Sequence, residues 1–239
     1  MLEKIRAAFD LIYPRNCQFC ALPLLEQEHG VICASCLALA KRIEPPFCRR
    51  CSLPFDGQLD DQIECGYCKD LKFHFLRAIA ACQAEGLVRD CIHRFKYKRE
   101  LYYLPHLVDW VVAAGKARVD WQAVNAIVPV PLHPVKQRDR EFNQAELLAR
   151  QLSRQFGKPI IANGVRRIKE TPTQTKLDAT ARRANLRGAF APGRGCVAGL
   201  KLVLVDDVFT TGATLDSCAN LLIKQGAAAV TALTVARGI

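Results

Sequence analysis

The amino-acid sequence predicts an α/β protein, in which a small cysteine-rich module precedes a twisted, mainly parallel sheet with helices on both faces. Two observations predict this arrangement. The run Leu202–Val205 is apolar throughout, as in a strand buried on both faces of a parallel sheet, and a segment of helical periodicity follows it. Four Cys-x-x-Cys pairs lie within residues 17–68. We place the module in residues 1–76 and the α/β domain in residues 77–239.

The composition indicates a globular protein outside the membrane. Half of the 239 residues are hydrophobic, and no apolar run reaches the ~18 residues that a membrane-spanning helix needs. The opening segment, MLEKIRAAFDLIYP, contains acidic residues and lacks a small-residue cleavage site, so it is not read as a signal peptide. We therefore expect a cytoplasmic protein without a transmembrane segment.

Twelve cysteines in a cytoplasmic chain favour metal binding over disulfides. Two Cys-x-x-Cys turns together bind one tetrahedral zinc ion, so four pairs predict two structural zinc ions. We favour pairing the first turn with the second and the third with the fourth, although an interleaved pairing uses the same cysteines. A thioredoxin-like redox site is the alternative, but it requires one pair beside a βαβ unit. The predicted zinc ligands are Cys17, Cys20, Cys33, Cys36, Cys48, Cys51, Cys65 and Cys68.

The formal charge of +11 indicates a polyanionic partner or a phosphorylated ligand. Eight thiolates around two divalent zinc ions lower this charge to about +7. Most of the excess lies between residues 133 and 196, which contain 14 Lys and Arg against 5 Asp and Glu.

A basic segment with aromatic residues follows the module. Residues 77–84 predict a strand, and residues 86–115 predict two helices joined near Arg99. Basic side chains that follow a phosphate backbone, together with aromatic rings that stack on nucleobases, suit single-stranded nucleic acid. We favour the alternative, a helix end with a solvated basic face and aromatic side chains in the core. The candidate nucleic-acid residues here are Arg94, Lys96, Tyr97, Lys98 and Arg99.

Residues 127–131 predict the next strand, which leads into a basic loop and a helix with Ala145, Leu148, Leu152 and Phe156 on one face. Three loop residues, His133, Arg138 and Arg140, offer positive charge or hydrogen-bond donors to an anion. A lone histidine is usually structural, and His133 is a candidate ligand-binding residue only because of its basic neighbours.

Three further strands are predicted at residues 165–168, 185–190 and 227–235. Residues 169–187 are polar and basic, as in a functional or disordered loop. The basic side chains of this loop suit either pyrophosphate or nucleic acid. The candidate nucleic-acid residues here are Lys176, Arg182 and Arg183. The isolated cysteines are expected to be buried core thiols; they are Cys82, Cys91, Cys196 and Cys218.

The segment LVLVDDVFTTGATL, residues 202–215, combines a strand, two carboxylates, a hydroxyl-rich turn and the start of a helix. We expect the strand to end before Asp206 and Asp207, which can accept hydrogen bonds from the two hydroxyls of a ribose. The turn offers backbone N–H groups and a helix dipole to a phosphate; its residues are Thr210, Thr211, Gly212, Ala213 and Thr214. Together they predict a site for a ribose 5-phosphate. A buried strand with an acidic loop and a threonine cap is the alternative.

This segment resembles the phosphoribosyl pyrophosphate (PRPP) motif of type I phosphoribosyltransferases. The resemblance implies that Asp206 and Asp207 hold the ribose hydroxyls and that Thr210–Thr214 hold the 5-phosphate. It also implies Mg²⁺ bound with PRPP, a pyrophosphate-binding loop at His133–Arg140, and a flexible loop over the site at residues 169–187.

The order of the cysteine pairs, VPVPLH, Arg-x-Phe-Asn-Gln and VDDVFTTGATL resembles the ComF family of competence proteins, which includes the GntX proteins. The likeness covers almost the whole chain. Family members usually have Gly where this chain has Glu141, which puts a left-handed turn or a close phosphate approach there in doubt.

The family resemblance implies a role in natural transformation or in the use of DNA as a nutrient. The implied partners are incoming single-stranded DNA, PRPP or a related phosphoribosyl ligand, and DNA-uptake or helicase machinery at the inner membrane. Two alternatives stay open: an active phosphoribosyltransferase that acts on an unidentified base, and a non-catalytic PRPP sensor. No catalytic residue is assigned.

Overall fold

The chain forms one parallel sheet with helices on both sides, as the sequence predicts. The computed structural model describes residues 15–25, 28, 30–57, 63–170, 186 and 188–238. The helices are α1 (Ala34–Leu37), α2 (Gly66–Lys69), α3 (Gly86–Tyr97), α4 (Leu104–Arg118), α5 (Pro134–Arg140), α6 (Gln144–Phe156) and α7 (Ala213–Lys224), with a 3-10 turn at Leu101–Tyr103. The strands are β1 (Ala78–Gln83), β2 (Ala126–Pro129), β3 (Val165–Arg167), β4 (Phe190–Pro192), β5 (Lys201–Phe209) and β6 (Ala229–Arg237).

The four-stranded sheet has the order β1-β6-β5-β2, and every neighbouring pair is parallel. The central strand β5 is longer than the sequence predicts. Asp206 lies inside it, opposite Thr234 of β6, and Phe209 is still opposite Arg237. The expectation that the strand ends before the two aspartates is therefore wrong, because β6 continues alongside and offers backbone partners as far as Arg237.

Helices cover both faces of the sheet, so the predicted layers are confirmed. Helices α4 and α6 pack on one face and α7 packs on the other. Helix α6 buries the predicted stripe of Ala145, Leu148 and Leu152, while α7 buries Leu215 and Leu222. The break predicted near Arg99 is also present, and Arg99 itself has a positive φ of 56°.

The strand predicted at residues 165–168 is present as β3, but it pairs in antiparallel fashion with β4, outside the parallel sheet. The strand predicted at residues 185–190 begins only at Phe190, because Leu186 and Gly188 form a turn before it. Residues 171–185 and 187 of the predicted loop lie outside the described residues.

The cysteine-rich module covers the outer edge of β1. The N–H of Ile43 donates to the carbonyl of Ala81 at 2.8 Å, and the N–H of Gln83 donates to the carbonyl of Lys41 at the same distance. The N–H of Ala78 donates to the carbonyl of Arg50, also at 2.8 Å. The module thus takes the place of a fifth strand at this edge.

Three of the four isolated cysteines, Cys82, Cys91 and Cys218, are buried as predicted. The expectation for Cys196 is wrong: this residue is exposed in the turn between β4 and β5. Within the described part of the chain, no helix combines the length and apolar character that crossing a bilayer requires.

Candidate functional site

Two carboxylates lie buried near the carboxyl end of β5. Asp206 is 9% exposed and Asp207 is 3% exposed. The N–H of Asp207 donates to Asp206 Oδ1 at 2.9 Å, and the Nζ of Lys96 lies 2.6 Å from Asp207 Oδ2. Lys96 was a nucleic-acid candidate, but its position at the end of α3 brings it to this carboxylate pair.

The pair carries less negative charge than two aspartates would carry in water. Burial, and then the nearby charge of Asp207, raise the pKa of Asp206 to about 8, and Lys96 acts in the opposite direction. The raised pKa favours the protonated form of Asp206, in which the carboxyl group can both donate and accept hydrogen bonds. An ionised Asp207 is balanced by Lys96. Such a pair suits neutral hydroxyl groups.

The phosphate turn, Thr210–Thr214, connects β5 to α7. Gly212 has a φ of +75° and precedes the first helical residue. A Cβ atom at Gly212 would lie 2.6 Å from the Cζ atom of Phe209, so the position admits only glycine. Thr211 Oγ1 accepts the N–H of Ala213 at 3.4 Å. The first turn of a helix has further N–H groups without an intrahelical acceptor, and these can bind a phosphate.

The phosphate turn is held from outside by residues that the sequence reasoning missed. The hydroxyl of Tyr67 donates to the carbonyl of Thr211 at 2.9 Å. The guanidinium of Arg237 donates to the carbonyl of Thr210 at 2.9 Å and lies 4.7 Å above the Phe209 ring. One signal pointed to Arg237: it is the only charged residue in the apolar strand β6, whose carboxyl end must lie beside that of β5.

The loop after β2 forms the short helix α5 and a left-handed turn. His133 Nδ1 accepts the N–H of Val135 at 3.4 Å, which makes His133 the N-cap. Glu141 has a φ of 68° and ends α5 in the left-handed conformation, although it is not glycine. Its carboxylate lies 2.7 Å from Arg99 Nη1. The turn that the sequence put in doubt is therefore present, and an ion pair accompanies it.

The basic segment at the end of α3 and the α5 loop form one surface. The guanidinium of Arg140 lies 4.9 Å above the ring of Tyr97, and Arg99 pairs with Glu141. Arg138 and Lys98 are exposed beside them. The structure thus brings together residues predicted for two different ligands.

Arg94 faces away from this surface. Its Nη1 donates to the Tyr103 hydroxyl at 2.9 Å, and its guanidinium lies 5.7 Å above Phe19. Lys176, Arg182 and Arg183 lie outside the described residues.

A cavity of about 590 Å³ opens between the α5 loop and β3. Its lining includes His133, Gln137, Asn143, Arg166 and Arg167. The charge of Asp206 acts on Arg167 and partly opposes the lowering of its pKa by burial. One cationic side chain of this cavity, Arg167, therefore lies within electrostatic reach of Asp206.

The eight cysteines form two four-sulfur clusters, each from two successive Cys-x-x-Cys turns. Within each cluster the four Sγ atoms lie within 4.8 Å of one another. The Cys20 and Cys33 Sγ atoms are 3.6 Å apart, and those of Cys51 and Cys65 are 3.7 Å apart. Tetrahedral zinc with Zn–S bonds of about 2.3 Å requires sulfur separations of this size. Each cluster fits one structural zinc ion, and the sequential pairing is confirmed.

Comparison with known proteins finds two family models that match this chain. The double zinc ribbon domain matches residues 8–72, and the phosphoribosyl transferase domain matches residues 143–239. DNA utilization protein YhgH of Escherichia coli (strain K12) is 33% identical over 223 residues, which are 92% of this chain and 96% of YhgH.

Two further proteins extend this comparison. Competence protein F of Haemophilus influenzae is 33% identical over 218 residues, 88% of this chain and 92% of its own length. Hypoxanthine phosphoribosyltransferase from Trypanosoma cruzi overlaps 61% of this chain and 66% of its own, with 14% identity and a TM-score of 0.31.

Proposed function

Because the chain belongs to the family of DNA utilization protein YhgH and competence protein F, we propose that it handles incoming single-stranded DNA on the cytoplasmic side of the inner membrane. We propose further that PRPP, or a related ribose 5-phosphate, binds with Mg²⁺ in its phosphoribosyl transferase domain. The observation that carries the proposal is the buried carboxylate pair beside a glycine-containing phosphate turn.

In this proposal the ligand spans the carboxyl ends of β5 and β2. Asp206 and Asp207 hold the ribose hydroxyls, and Thr210–Thr214 hold the 5-phosphate. His133, Arg138 and Arg140 lie near the pyrophosphate. Mg²⁺ would bind together with the ligand and would neutralise the charge of the pyrophosphate.

Lys96 has a specific part in this arrangement. Its Nζ lies 2.6 Å from Asp207 Oδ2 and balances a buried carboxylate that would otherwise be costly. When ribose hydroxyls approach Asp207, the ammonium group remains near enough to the ligand to favour its negative charge. Lys96 therefore balances Asp207 and also favours an anionic ligand.

Single-stranded DNA is the proposed partner of the surface beside the pocket. Lys98 and Arg138 are exposed there, and Tyr97 is 48% exposed. Exposed basic side chains attract the phosphate backbone of DNA, and an aromatic ring beside them offers a stacking face to a nucleobase. Because Arg140 packs on Tyr97, a ligand that moves Arg140 also changes the surface offered to DNA. PRPP and DNA are expected to influence each other's binding.

A second candidate function is an active phosphoribosyltransferase, which the complete carboxylate pair and phosphate turn favour. A base would then displace pyrophosphate at C1 of the ribose. Formation of pyrophosphate from PRPP in the presence of nucleobases would support this candidate.

The test measures binding of PRPP with Mg²⁺ and of a short oligodeoxythymidine to the zinc-loaded protein, separately and together, over a salt series. We expect oligonucleotide affinity to fall steeply with salt and to change when PRPP is added. PRPP binding without oligonucleotide binding at ~0.15 M ionic strength would contradict the DNA role and favour an enzyme or a sensor.

A further inference from the structure

A second cavity, of about 700 Å³, lies at the end of the sheet opposite the phosphate turn. It is bounded by the third and fourth Cys-x-x-Cys turns, the start of β1 and the end of α4. Its lining includes four arginines: Arg49, Arg50, Arg77 and Arg118. We call it the arginine cavity. Since all strands of the sheet are parallel and β1 begins at Ala78, this is the amino-terminal edge of the sheet.

Three of the four arginines, Arg50, Arg77 and Arg118, donate to neutral groups rather than to carboxylates. Arg118 donates to Ser52 Oγ at 3.3 Å and to the carbonyl of Ala80, and its guanidinium lies 4.8 Å above the Phe47 ring. Arg77 Nη2 donates to the carbonyl of Arg118 at 2.6 Å. Arg50 Nη2 donates to the carbonyl of Phe73 at 3.3 Å.

Two acids also line the cavity, but both are already engaged. Glu64 lies 3.0 Å from Arg49 Nε. Asp120 accepts the N–H groups of Gln122 and Ala123, at 3.1 and 3.4 Å. Among the described residues, no carboxylate lies within ion-pair distance of Arg50, Arg77 or Arg118. The cavity therefore carries an excess of positive charge.

This excess is unfavourable unless an anion balances it. Burial, and then repulsion from Arg77, lower the pKa of Arg118 to about 10. A buried cation without a counter-charge is costly. The planar guanidinium fork matches the geometry of phosphate oxygens, which arginine binds in bidentate fashion.

We propose that the arginine cavity is a second anion site, which binds a phosphate group at the amino-terminal edge of the sheet. The phosphate belongs either to a small phosphorylated molecule or to the backbone of a nucleic acid. Apolar surface at the rim accompanies the arginines: Leu76 is 64% exposed, and Phe47 is half-buried. This site is separate from the proposed PRPP pocket and does not depend on it.

The test is residue-resolved labelling of arginines with phenylglyoxal, followed by mass spectrometry of the zinc-loaded, full-length protein. Inorganic phosphate at about ten times its dissociation constant is expected to slow labelling of Arg77 by about tenfold. Arg150, which is exposed on α6 and paired with Glu146, is the internal control and should label at an unchanged rate.

Two further arms separate the phosphate sources and the two pockets. If an oligodeoxythymidine protects Arg77 as phosphate does, the site serves nucleic acid, and Arg77→Gln should reduce the salt slope of oligonucleotide binding by about 1. If phosphate protects and the oligonucleotide does not, the ligand is a small phosphorylated molecule. Asp207→Asn should leave this protection unchanged even if PRPP binding is lost. Labelling of Arg77 that neither phosphate nor oligonucleotide slows would overturn the proposal.

Discussion

The two four-cysteine clusters have the same sequence spacing within each turn, yet they pack against different parts of the chain. The first cluster, built from Cys17 to Cys36, packs on the face of the sheet covered by α4 and α6. The second cluster, built from Cys48 to Cys68, packs on the face covered by α7. Two similar metal sites thus support the two faces of one sheet.

The first cluster is connected to helices rather than to the phosphate turn. The Phe19 ring lies edge-on to Tyr103, with centroids 6.2 Å apart, and Arg94 of α3 lies above Phe19. The N–H of Val31 donates to Nε2 of the buried His106 at 3.2 Å. This cluster acts on the proposed pocket only indirectly, through α3, which carries Lys96.

The second cluster contacts the phosphate turn directly. Tyr67, inside the fourth Cys-x-x-Cys turn, donates to Thr211, and Arg237 joins Thr210 to Cys51 Sγ, which lies 4.0 Å from its Nη2. A zinc ion with four thiolates carries two negative charges, which Arg237 partly balances. The comparison teaches that one zinc site stabilises the scaffold, whereas the other shapes the proposed ligand pocket.

The largest expected effect is a loss of PRPP affinity that differs between cysteine variants of the two clusters. Cys51→Ser and Cys36→Ser should each lower the bound zinc from two equivalents to one. Cys51→Ser should reduce PRPP affinity by about 100-fold, because it loosens the support of the phosphate turn, and Cys36→Ser should reduce it far less. Metal analysis and calorimetric titration with PRPP and Mg²⁺ measure both quantities. Equal losses of affinity would remove the distinction between the clusters.

The next effect concerns α3, the helix supported by the first cluster. Lys96→Met leaves Asp207 buried without its counter-charge and should lower the free energy of unfolding by about 3 kcal/mol. Urea unfolding at neutral pH measures this. Lys98→Met, an exposed neighbour, is the control and should change stability by less than about 0.5 kcal/mol.

A double variant checks the cause. Lys96→Met combined with Asp207→Asn removes both charges and should recover most of the lost stability. If the double variant is as unstable as Lys96→Met alone, the loss comes from packing of the lysine rather than from its charge.

A further effect is expected in the pH dependence of stability. The pKa of Asp206 is raised to about 8, whereas an aspartate in an unfolded chain ionises near ~3.9. Between these values Asp206 is protonated in the folded state and ionised in the unfolded chain, so its contribution to stability falls as pH rises from about 4 to about 8. Asp206→Asn cannot ionise and should lose less stability between pH 5 and pH 8 than the native protein. Calorimetry of the ligand-free protein tests this, with the exposed Asp139→Asn as control; parallel curves for the native protein and Asp206→Asn would argue against a protonated Asp206.

The smallest effect tests a single hydrogen bond from the second cluster. Tyr67→Phe removes the bond to the Thr211 carbonyl and should weaken PRPP binding by about fivefold, equivalent to about 1 kcal/mol. Tyr102→Phe changes an exposed tyrosine near the first cluster and should leave PRPP affinity unchanged. Titration with PRPP distinguishes the two variants, and equal affinities would mean that Tyr67 does not position the turn.

The parts predicted from sequence share one property: they depend on local spacing. The cysteine pairs, the apolar run of β5 and the helical stripe of α7 are all contained in short segments. The parts that sequence did not predict depend on contacts between distant segments. Lys96 meets Asp207 across 111 positions of the printed sequence, and Tyr67 meets Thr211 across 144.

Glu141 and Cys196 show the same limit. Glycine at position 141 would favour the left-handed turn locally, whereas the ion pair of Glu141 with Arg99 joins two segments that are distant in the sequence. Cysteine is usually buried, but its place in a turn leaves Cys196 exposed.

The pairing of the cysteine-rich module with β1 has a consequence for metal supply. The N–H of Ile43 donates to β1, and the carbonyls of Lys41 and Arg50 accept from it, so these three bonds satisfy outer backbone groups of the strand. Lys41 and Ile43 lie between the two metal clusters, and Arg50 lies inside the third Cys-x-x-Cys turn, so both clusters anchor the residues that make these bonds. Loss of zinc would therefore expose an unpaired strand edge, which is a template for pairing with another chain. Under zinc limitation, this protein is expected to aggregate through that edge, so its persistence in a cell is tied to the metal it carries.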